Sequence, residues 1–245
     1  MPELNLSDPL VFGLVALVAV FAGFVRGLTG FGGPAVMILS LVPFFAPVSV
    51  LTKVVLIDIV SNVRLLPATL PDVSRPLMTV FVIGSFAGAP FGVYALDVVD
   101  PEIMKRLIAL VAGVCTVAML AGWRARVMPP AYVTAAVGVC AGVVLGASMI
   151  AFLAIVYFMC LPIRAAETRA NMVLWGFVLG ALFVPIHIAL GWTVWADIWR
   201  CLLLGLIYLA TTFLGDRVFR RLSERNFRQF VLWFLLVLSG AGLVA

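Results

Sequence analysis

The chain has 245 residues, of which 64% are hydrophobic and only 11% are charged, and its mean hydropathy is +1.23. A soluble surface needs about twice that charged fraction, so a soluble protein is excluded. At about 20 apolar residues per spanning helix, the length holds roughly eight to ten membrane elements and no extramembrane domain. The net charge of +5 is scattered over short loops without an aromatic-interleaved basic face, which argues against a nucleic-acid partner.

Ten apolar stretches follow one another along the chain, separated by charged residues or by Pro and Gly. Four of them are only about 13–16 residues long, too short for comfortable full spans. They predict two hairpins, 10–46 and 131–161, in which two short helices meet at a Gly-rich break. The longer stretches predict membrane helices at 48–66, 76–96, 103–122, 170–188, 196–216 and 227–245. The fold class is therefore an all-α polytopic membrane protein.

The basic residues indicate an orientation. If the N-terminus lies outside and each hairpin returns to the side it left, eleven arginines fall in cytoplasmic turns. Only Lys53, Lys105, Arg106 and Arg200 then fall in external turns, while Arg26 lies in the first hairpin. Because basic residues favour the cytoplasmic side, both termini are expected outside.

The two hairpins align with each other at a spacing of 115 residues, which pairs Gly23 with Gly138 and Gly27 with Gly142. Further on, a spacing of 123 pairs Gly92 with Gly215. The charge-derived topology makes the two copies antiparallel, so repeats 1–127 and 128–245 are predicted to be inverted. This plan is typical of secondary transporters. A duplicated apolar bundle without a site is the alternative.

The first Gly-rich break, residues 26–34 (RGLTGFGGP), is the most informative stretch. Its glycines permit positive φ and close approach, and Pro34 suits the first turn of a new helix. The free N–H groups of that helix, with the Arg26 guanidinium beside them, form a predicted anion site. The candidate substrate-binding residues here are Arg26, Gly27, Thr29, Gly30, Gly32 and Gly33. Helix packing by the glycines and an interfacial Arg26 are the alternative.

The second break, residues 142–148 (GVVLGAS), has fewer glycines, no Pro and no Arg. Ser148 aligns with Gly33 of the first break, and its hydroxyl is a candidate substrate donor, with Gly146 beside it. An ordinary helix-packing serine is the alternative. The predicted site is therefore asymmetric.

Asp58, Ser61 and Asn62 share one face of the third segment, because they lie at i, i+3 and i+4. A carboxylate near the bilayer centre costs about 2.5–3.5 kcal/mol, so Asp58 should face the bundle interior. It is a candidate for proton coupling or for pairing with Arg26 or Lys53, and a purely structural ion pair is the alternative. Asn62 is a candidate substrate ligand.

Lys53 and Arg169 occupy matching positions at the starts of corresponding helices, one near each mouth of the predicted pathway. Both are candidates for coupling or gating. Each could guide anions, or it could anchor its helix at the membrane interface.

Residues 23–34 (GFVRGLTGFGGP), the apolar run to Pro47 and the half-chain duplication resemble the TauE/SafE family, also called sulfite exporters. The resemblance covers essentially the whole chain. It implies export of small sulfur-containing anions, such as sulfite, sulfoacetate and other organosulfonates, across the bacterial inner membrane without ATP hydrolysis. The second half departs from the family pattern, since only Gly142 and Gly146 stand where another Gly-Gly-type motif is usual.

The leading hypothesis is a secondary carrier that alternates access by rocking two inverted halves around the hairpin tips. A carrier for another small organic or inorganic anion, and a non-transporting membrane subunit, are the alternatives. An enzyme is not expected, since the chain has one histidine and none of the common hydrolase or phosphate-binding motifs. No cofactor or metal is expected either, because the four cysteines are dispersed in apolar runs. The expected partners are a small anion and the lipid bilayer, and pairing into a homodimer stays open.

Overall fold

A computed structural model describes residues 2–98, 125, 127–148, 151–189, 191, 195–223, 225–227, 229–231 and 233. Every long element in these residues is an α-helix, and four of the helices are long and apolar enough to cross a membrane. The predicted all-α polytopic membrane fold is therefore confirmed.

The helices are named in chain order. They are α1 (Pro9–Thr29), α2 (Gly32–Leu41), α3 (Pro47–Thr69), α4 (Arg75–Val98), α5 (Ala131–Ser148), α6 (Phe152–Cys160), α7 (Ala165–Ala189) and α8 (Trp195–Phe219), with a short 3-10 turn at Leu70–Asp72. The predicted helix 103–122 lies outside the described residues, as does most of the predicted helix 227–245.

Helix α1 corrects one expectation about the first hairpin. The apolar stretch predicted a short first helix that ends before Arg26, but α1 has 21 residues and continues to Thr29. Gly27 therefore lies inside a helix and not in the break. The helix continues because Arg26 is buried among protein contacts at only 2% exposure, so its charge does not mark the end of the membrane segment.

Two compact units divide the described structure. Unit 1 comprises Met1–Pro71 and Val173–Leu222, and it holds α1, α2, α3, most of α7 and α8. Unit 2 comprises Asp72–Met172 and Ser223–Ala245, and it holds α4, α5, α6 and the start of α7. The division into repeats 1–127 and 128–245 is a different partition of the chain and stays a prediction.

In unit 1, the two ends of the first hairpin lie together. The Ala46 N–H donates to the Pro2 carbonyl over 2.9 Å, and the Leu4 N–H donates to Ser49 Oγ over 3.1 Å. The segment before α1 therefore contacts the start of α3. This arrangement is what a hairpin that returns to the side it left requires.

Glycines bring α1 against α8 in unit 1. A Cβ added at Gly23 would overlap the Tyr208 carbonyl, and one added at Gly27 would overlap the Thr212 carbonyl. Gly215 of α8 meets the Phe24 carbonyl in the same way. Small residues at such interfaces let helix backbones approach closely, which strengthens packing where lipid provides no hydrophobic driving force.

Unit 2 contains a second helix pair of the same kind, α4 with α5. Gly138 meets the Phe81 carbonyl, Gly142 meets the Ser85 carbonyl, and Gly88 of α4 meets the Val139 carbonyl. Ser85 Oγ also donates to the Gly138 carbonyl over 3.1 Å. In both units, therefore, the first helix of a hairpin packs against a helix from the other half of the chain.

The contacts of these two helix pairs can be compared residue by residue, which sequence spacing alone does not allow. The hairpin residues correspond at the predicted spacing of 115, whereas their partners Phe81, Ser85 and Gly88 correspond to Tyr208, Thr212 and Gly215 at a spacing of 127. By their contacts, Gly215 thus corresponds to Gly88, one helical turn from the predicted Gly92, while the inverted repeat itself stays a prediction. Glycines recur at three successive turns of α4, so sequence alone could not distinguish the two registers.

We expect Gly142→Ala to lower the free energy of unfolding by about 1–3 kcal/mol, because the new methyl group meets the Ser85 backbone, which cannot move aside. Thermal unfolding of the detergent-solubilised protein measures this loss. Gly13→Ala is the matched control, since nothing lies within 4 Å of a Cβ at that position. Equal unfolding temperatures for the two variants would contradict the close α4–α5 contact.

Candidate functional site

Gly30 ends α1 at the break of the first hairpin. Its φ is 84°, in the left-handed region, and its N–H donates to the Arg26 carbonyl over 2.7 Å. A side chain at this φ is strained, so glycine is favoured here. The chain then turns within two residues and restarts as α2, with Pro34 in its first turn.

Thr29 satisfies both sides of this break. Its hydroxyl donates to the Val25 carbonyl over 2.8 Å and accepts from the N–H groups of Phe31 at 3.2 Å and Gly32 at 2.9 Å. Pro34 contributes no N–H. Fewer backbone N–H groups are therefore free to bind an anion than the motif suggested, because the Thr29 hydroxyl already accepts from two of them. The roles of Thr29, Gly32 and Gly30 toward a substrate stay predictions.

Arg26 lies one turn before the break and points its guanidinium into unit 1. Nη1 donates to the Gly30 carbonyl and Nη2 donates to Asn62 Oδ1. Nε lies 3.1 Å from Asp58 Oδ1 as an ion pair, although its N–H is not aligned for a hydrogen bond. The sequence-predicted pairing of Arg26 with Asp58 is thus present, and Asn62 joins it.

Asp58 is held by two further donors. Asn62 Nδ2 donates to Oδ2 over 3.0 Å, and the Tyr208 hydroxyl donates to Oδ1 over 2.8 Å. We call Arg26, Asp58, Asn62 and Tyr208 the Arg26 cluster. It joins α1, α3 and α8 through residues that are all less than 9% exposed.

The Arg26 cluster is electrically neutral as a whole, because one guanidinium faces one carboxylate. Burying such a pair takes both charges out of water, and apolar residues of similar volume often stabilise a fold as well or better. Ionisable residues inside membrane segments usually belong to substrate or ion pathways for that reason. The cluster is therefore the strongest candidate site in the described residues.

Gly33 has a steric role in this site. A Cβ added there would overlap the Tyr208 hydroxyl and lie 2.8 Å from Arg26 Cβ. The absence of a side chain at Gly33 thus lets the phenol reach Asp58.

Tyr208 is the member of the cluster that sequence reasoning missed. The available signal was a single tyrosine in the middle of an apolar helix, far from the interface where aromatic belts form. A hydroxyl at that depth needs a buried partner, and Asp58 is that partner.

Lys53 lies outside the Arg26 cluster, in a second polar group of unit 1. Its Nζ is 3.2 Å from Asp197 Oδ2 and donates to Ser49 Oγ over 3.0 Å. Arg200 Nη1 lies 3.7 Å from Asp197 Oδ1. Lys53 is thus paired with Asp197 and not with Asp58, so its predicted gating role stays a prediction.

The remaining candidates belong to the second half of the chain. Gly146 packs on α4, where a Cβ would lie 2.5 Å from the Ala89 carbonyl. Arg169 is buried near the start of α7, and nearby Asn171 accepts from the Ser74 N–H over 3.1 Å. The Ser148 side chain lies outside the described residues. Their roles toward a substrate stay predictions.

At the positions that the predicted repeat would pair with its members, the Arg26 cluster has no polar counterpart. The spacings of 115 and 116 in the hairpins and following helices, and 127 for the partner helix, pair its members with apolar residues. These residues are Ala141, Leu174, Val178 and Phe81. The expected asymmetry between the two breaks therefore extends to every member of the cluster.

A family model described as Sulfite exporter TauE/SafE matches residues 15–242, nearly the whole chain. No curated protein and no solved structure matches the chain significantly. The chain therefore belongs to the sulfite exporter TauE/SafE family, and the resemblance seen in residues 23–34 is confirmed.

Proposed function

We propose that this member of the sulfite exporter TauE/SafE family is a secondary transporter that exports a small sulfur-containing anion by alternating access. Family membership and the apolar helices establish a multi-pass membrane protein of a transporter family. Sulfite, sulfoacetate or another organosulfonate is the proposed substrate, and the bacterial inner membrane is the proposed location. A homodimer is the assembly that we would test first.

The buried Arg26 beside the hairpin break is the observation that carries this proposal. Its planar guanidinium can hold two oxygens of a sulfonate or sulfite group, as it does with carboxylates and phosphates. Asn62 can turn its amide N–H groups toward the same anion. The bound anion then replaces protein oxygens that now accept from Arg26.

Contacts between loop-proximal residues support the proposed topology. Lys53, Asp197 and Arg200, all assigned to the external side, contact one another in unit 1. Arg164 and Asp72, both assigned to the cytoplasmic side, lie 3.5 Å apart in unit 2. Each pair joins residues that are assigned to one side of the membrane, as the proposed topology requires.

Flux of radiolabelled sulfite from proteoliposomes tests the proposal. We expect Arg26→Ala to reduce flux by roughly 10- to 100-fold, since hydrogen bonds to charged groups contribute about 1.5–3 kcal/mol each. Arg26→Lys should retain part of the flux, because it keeps the charge but loses the planar fork. Arg220→Ala is the matched control, since its side chain is 69% exposed and paired with Asp216.

Unchanged flux in Arg26→Ala, with wild-type yield and folding, would remove Arg26 from the site. Absence of flux for sulfite and all sulfonates in the wild-type protein would overturn the transport proposal. Flux of unrelated small anions at equal rates would instead favour a general anion carrier.

A further inference from the structure

We propose that the Arg26 cluster takes up one singly charged anion together with one proton, which Asp58 receives, and that it thereby selects monoanions over dianions. Methanesulfonate and hydrogen sulfite are the class of ligand that fits, whereas sulfate does not. This inference rests on the proposed function, because it concerns the same site. It adds the coupling ion, and it narrows the proposed substrates to singly charged anions. Sulfoacetate is thereby excluded, because its sulfonate and its carboxylate together make it a dianion at neutral pH.

Charge balance is the first step. The empty cluster is neutral, with Arg26 Nε 3.1 Å from Asp58 Oδ1. An anion entering this buried space alone would leave a net negative charge where solvation is weak, which is strongly unfavourable. An anion that enters with a proton keeps the cluster neutral. The empty and loaded forms then carry the same net charge.

Asp58 is the group that can take this proton. Arg26 keeps its charge under all physiological conditions, and Asn62 does not titrate. The Tyr208 hydroxyl is already the donor in its bond to Asp58 and carries its own proton. Among the members of the cluster, only the carboxylate both binds a proton and loses its hold on Arg26 when it does so.

Among the described residues, no side chain that contacts Asp58 is a competing proton acceptor. Helix α1 contributes Arg26 alone among charged residues, and α2 contains no titratable side chain. From α8, Tyr208 faces Asp58, whereas Asp197 is paired with Lys53. On α7, Gly176 is the residue beside Arg26, and a Cβ added there would lie 3.4 Å from Nη2.

The exchange at the site follows from these contacts. A proton from the aqueous phase binds a carboxylate oxygen of Asp58, and the ion pair with Arg26 is broken. The guanidinium then binds the oxygens of the anion, and the new carboxylic acid can donate to one of them. Release of the anion returns the proton to water and restores the Arg26–Asp58 pair.

The charge balance at the cluster determines both the driving force of transport and the charge of the substrate. Transport of one monoanion with one proton moves no net charge, so flux follows the gradients of anion and proton and not the membrane voltage. Export is then driven by accumulation of the anion inside the cell. A dianion would need a second proton acceptor, and the cluster has none, so doubly charged oxyanions of similar shape are rejected.

Calorimetric titration of the detergent-solubilised full chain with methanesulfonate tests the inference. Repeating the titration in buffers of different ionisation enthalpy gives the number of protons taken up on binding. We expect one proton per anion, and an affinity that falls about tenfold for each unit rise in pH while Asp58 is ionised in the free protein. Sulfate, of similar size, should bind at least roughly tenfold more weakly.

Asp58→Asn should bind methanesulfonate without proton uptake and with an affinity that does not depend on pH. The matched control is Asp197→Asn, which removes a carboxylate whose ion pairs are to Lys53 and Arg200. This control should keep the uptake of one proton. Because Asp58→Asn leaves Arg26 uncompensated, the anion should raise its unfolding temperature more than it raises that of the wild type.

Tyr208→Phe provides a second test if Asp58→Asn does not fold. It removes a hydrogen bond that stabilises the Asp58 carboxylate, so anion binding should persist to higher pH with one proton still taken up. Tyr157→Phe is its control, because that hydroxyl is bonded to Thr134 over 2.7 Å. The control should leave the pH dependence of binding unchanged.

The outcomes separate this inference from the proposed function. Anion binding with no proton uptake in the wild type would overturn the inference and leave the transporter intact. Proton uptake that survives in Asp58→Asn, or equal affinity for sulfate, would also overturn it. Absence of binding by any sulfur oxyanion would count against the proposed function itself.

Discussion

Replacing Arg26 by methionine while keeping Asp58 is expected to lower the free energy of unfolding by about 3–5 kcal/mol. The reason is the carboxylate that remains, since it loses its ion-pair partner at a position where Asp58 is only 8% exposed. The Asn62 and Tyr208 donors are too few to replace the charge of a guanidinium. Reversible unfolding in mixed micelles measures the loss.

The double variant Arg26→Met/Asp58→Leu identifies the cause. It removes both charges and should recover most of the lost stability, because an apolar pair of similar volume needs no compensation. Anion flux should nevertheless stay absent. If Arg26→Met alone is as stable as the wild type, Asp58 is already neutral in the empty protein, and an ionised pair at this site is contradicted.

In the double variant, stability is expected to recover while anion flux is not. A fold that needed only to pack would lose little by exchanging the cluster for apolar residues, as the corresponding positions Ala141, Leu174, Val178 and Phe81 illustrate. Packing alone therefore does not require the polar cluster, which agrees with the binding role proposed for it.

The features of the first hairpin that depend on local backbone chemistry could be predicted from sequence. Four glycines and Pro34 within nine residues predicted an interrupted helix, and the structure places the interruption at Gly30 with φ of 84°. The one-face spacing of Asp58 and Asn62 likewise predicted side chains that act together, and they are hydrogen bonded.

Features that depend on pairing between distant segments could not be predicted. Nothing near Gly27 in the chain shows that α8 passes against it, so a packing glycine was interpreted as part of the break. Tyr208 lies 150 residues from Asp58, and no periodicity links them. The capping role of Thr29 could not be predicted for a different reason. A threonine hydroxyl at a helix break can hydrogen bond to backbone N–H groups or to a ligand equally well.

The register between the halves shows the same limit. Glycines at Gly84, Gly88 and Gly92 are equivalent in sequence, since each begins a new helical turn. Only the carbonyl that each one meets distinguishes them. The sequence could therefore predict that α4 and α8 are equivalent helices of a repeat. Which residue of α4 matches which residue of α8 could be read only from the helix contacts.

Gly33→Ala is expected to have an effect out of proportion to one methyl group. The Cβ would overlap the Tyr208 hydroxyl and lie 2.8 Å from Arg26 Cβ, so the phenol must leave Asp58. Overpacking and the loss of a hydrogen bond to a charged group together amount to about 3–5 kcal/mol of unfolding free energy. Thermal unfolding measures the loss, with Gly180→Ala as control because nothing lies within 4 Å of a Cβ there.

The same variant separates a steric role for Gly33 from a direct contact with the anion. If Gly33 acts by admitting Tyr208, combining Gly33→Ala with Tyr208→Phe removes the closest overlap and should restore part of the stability. The pH dependence of methanesulfonate binding should then match that of Tyr208→Phe alone. If stability recovers but affinity stays low in the double variant, the Gly33 backbone itself contacts the anion, and the phenol is not the reason that glycine is required.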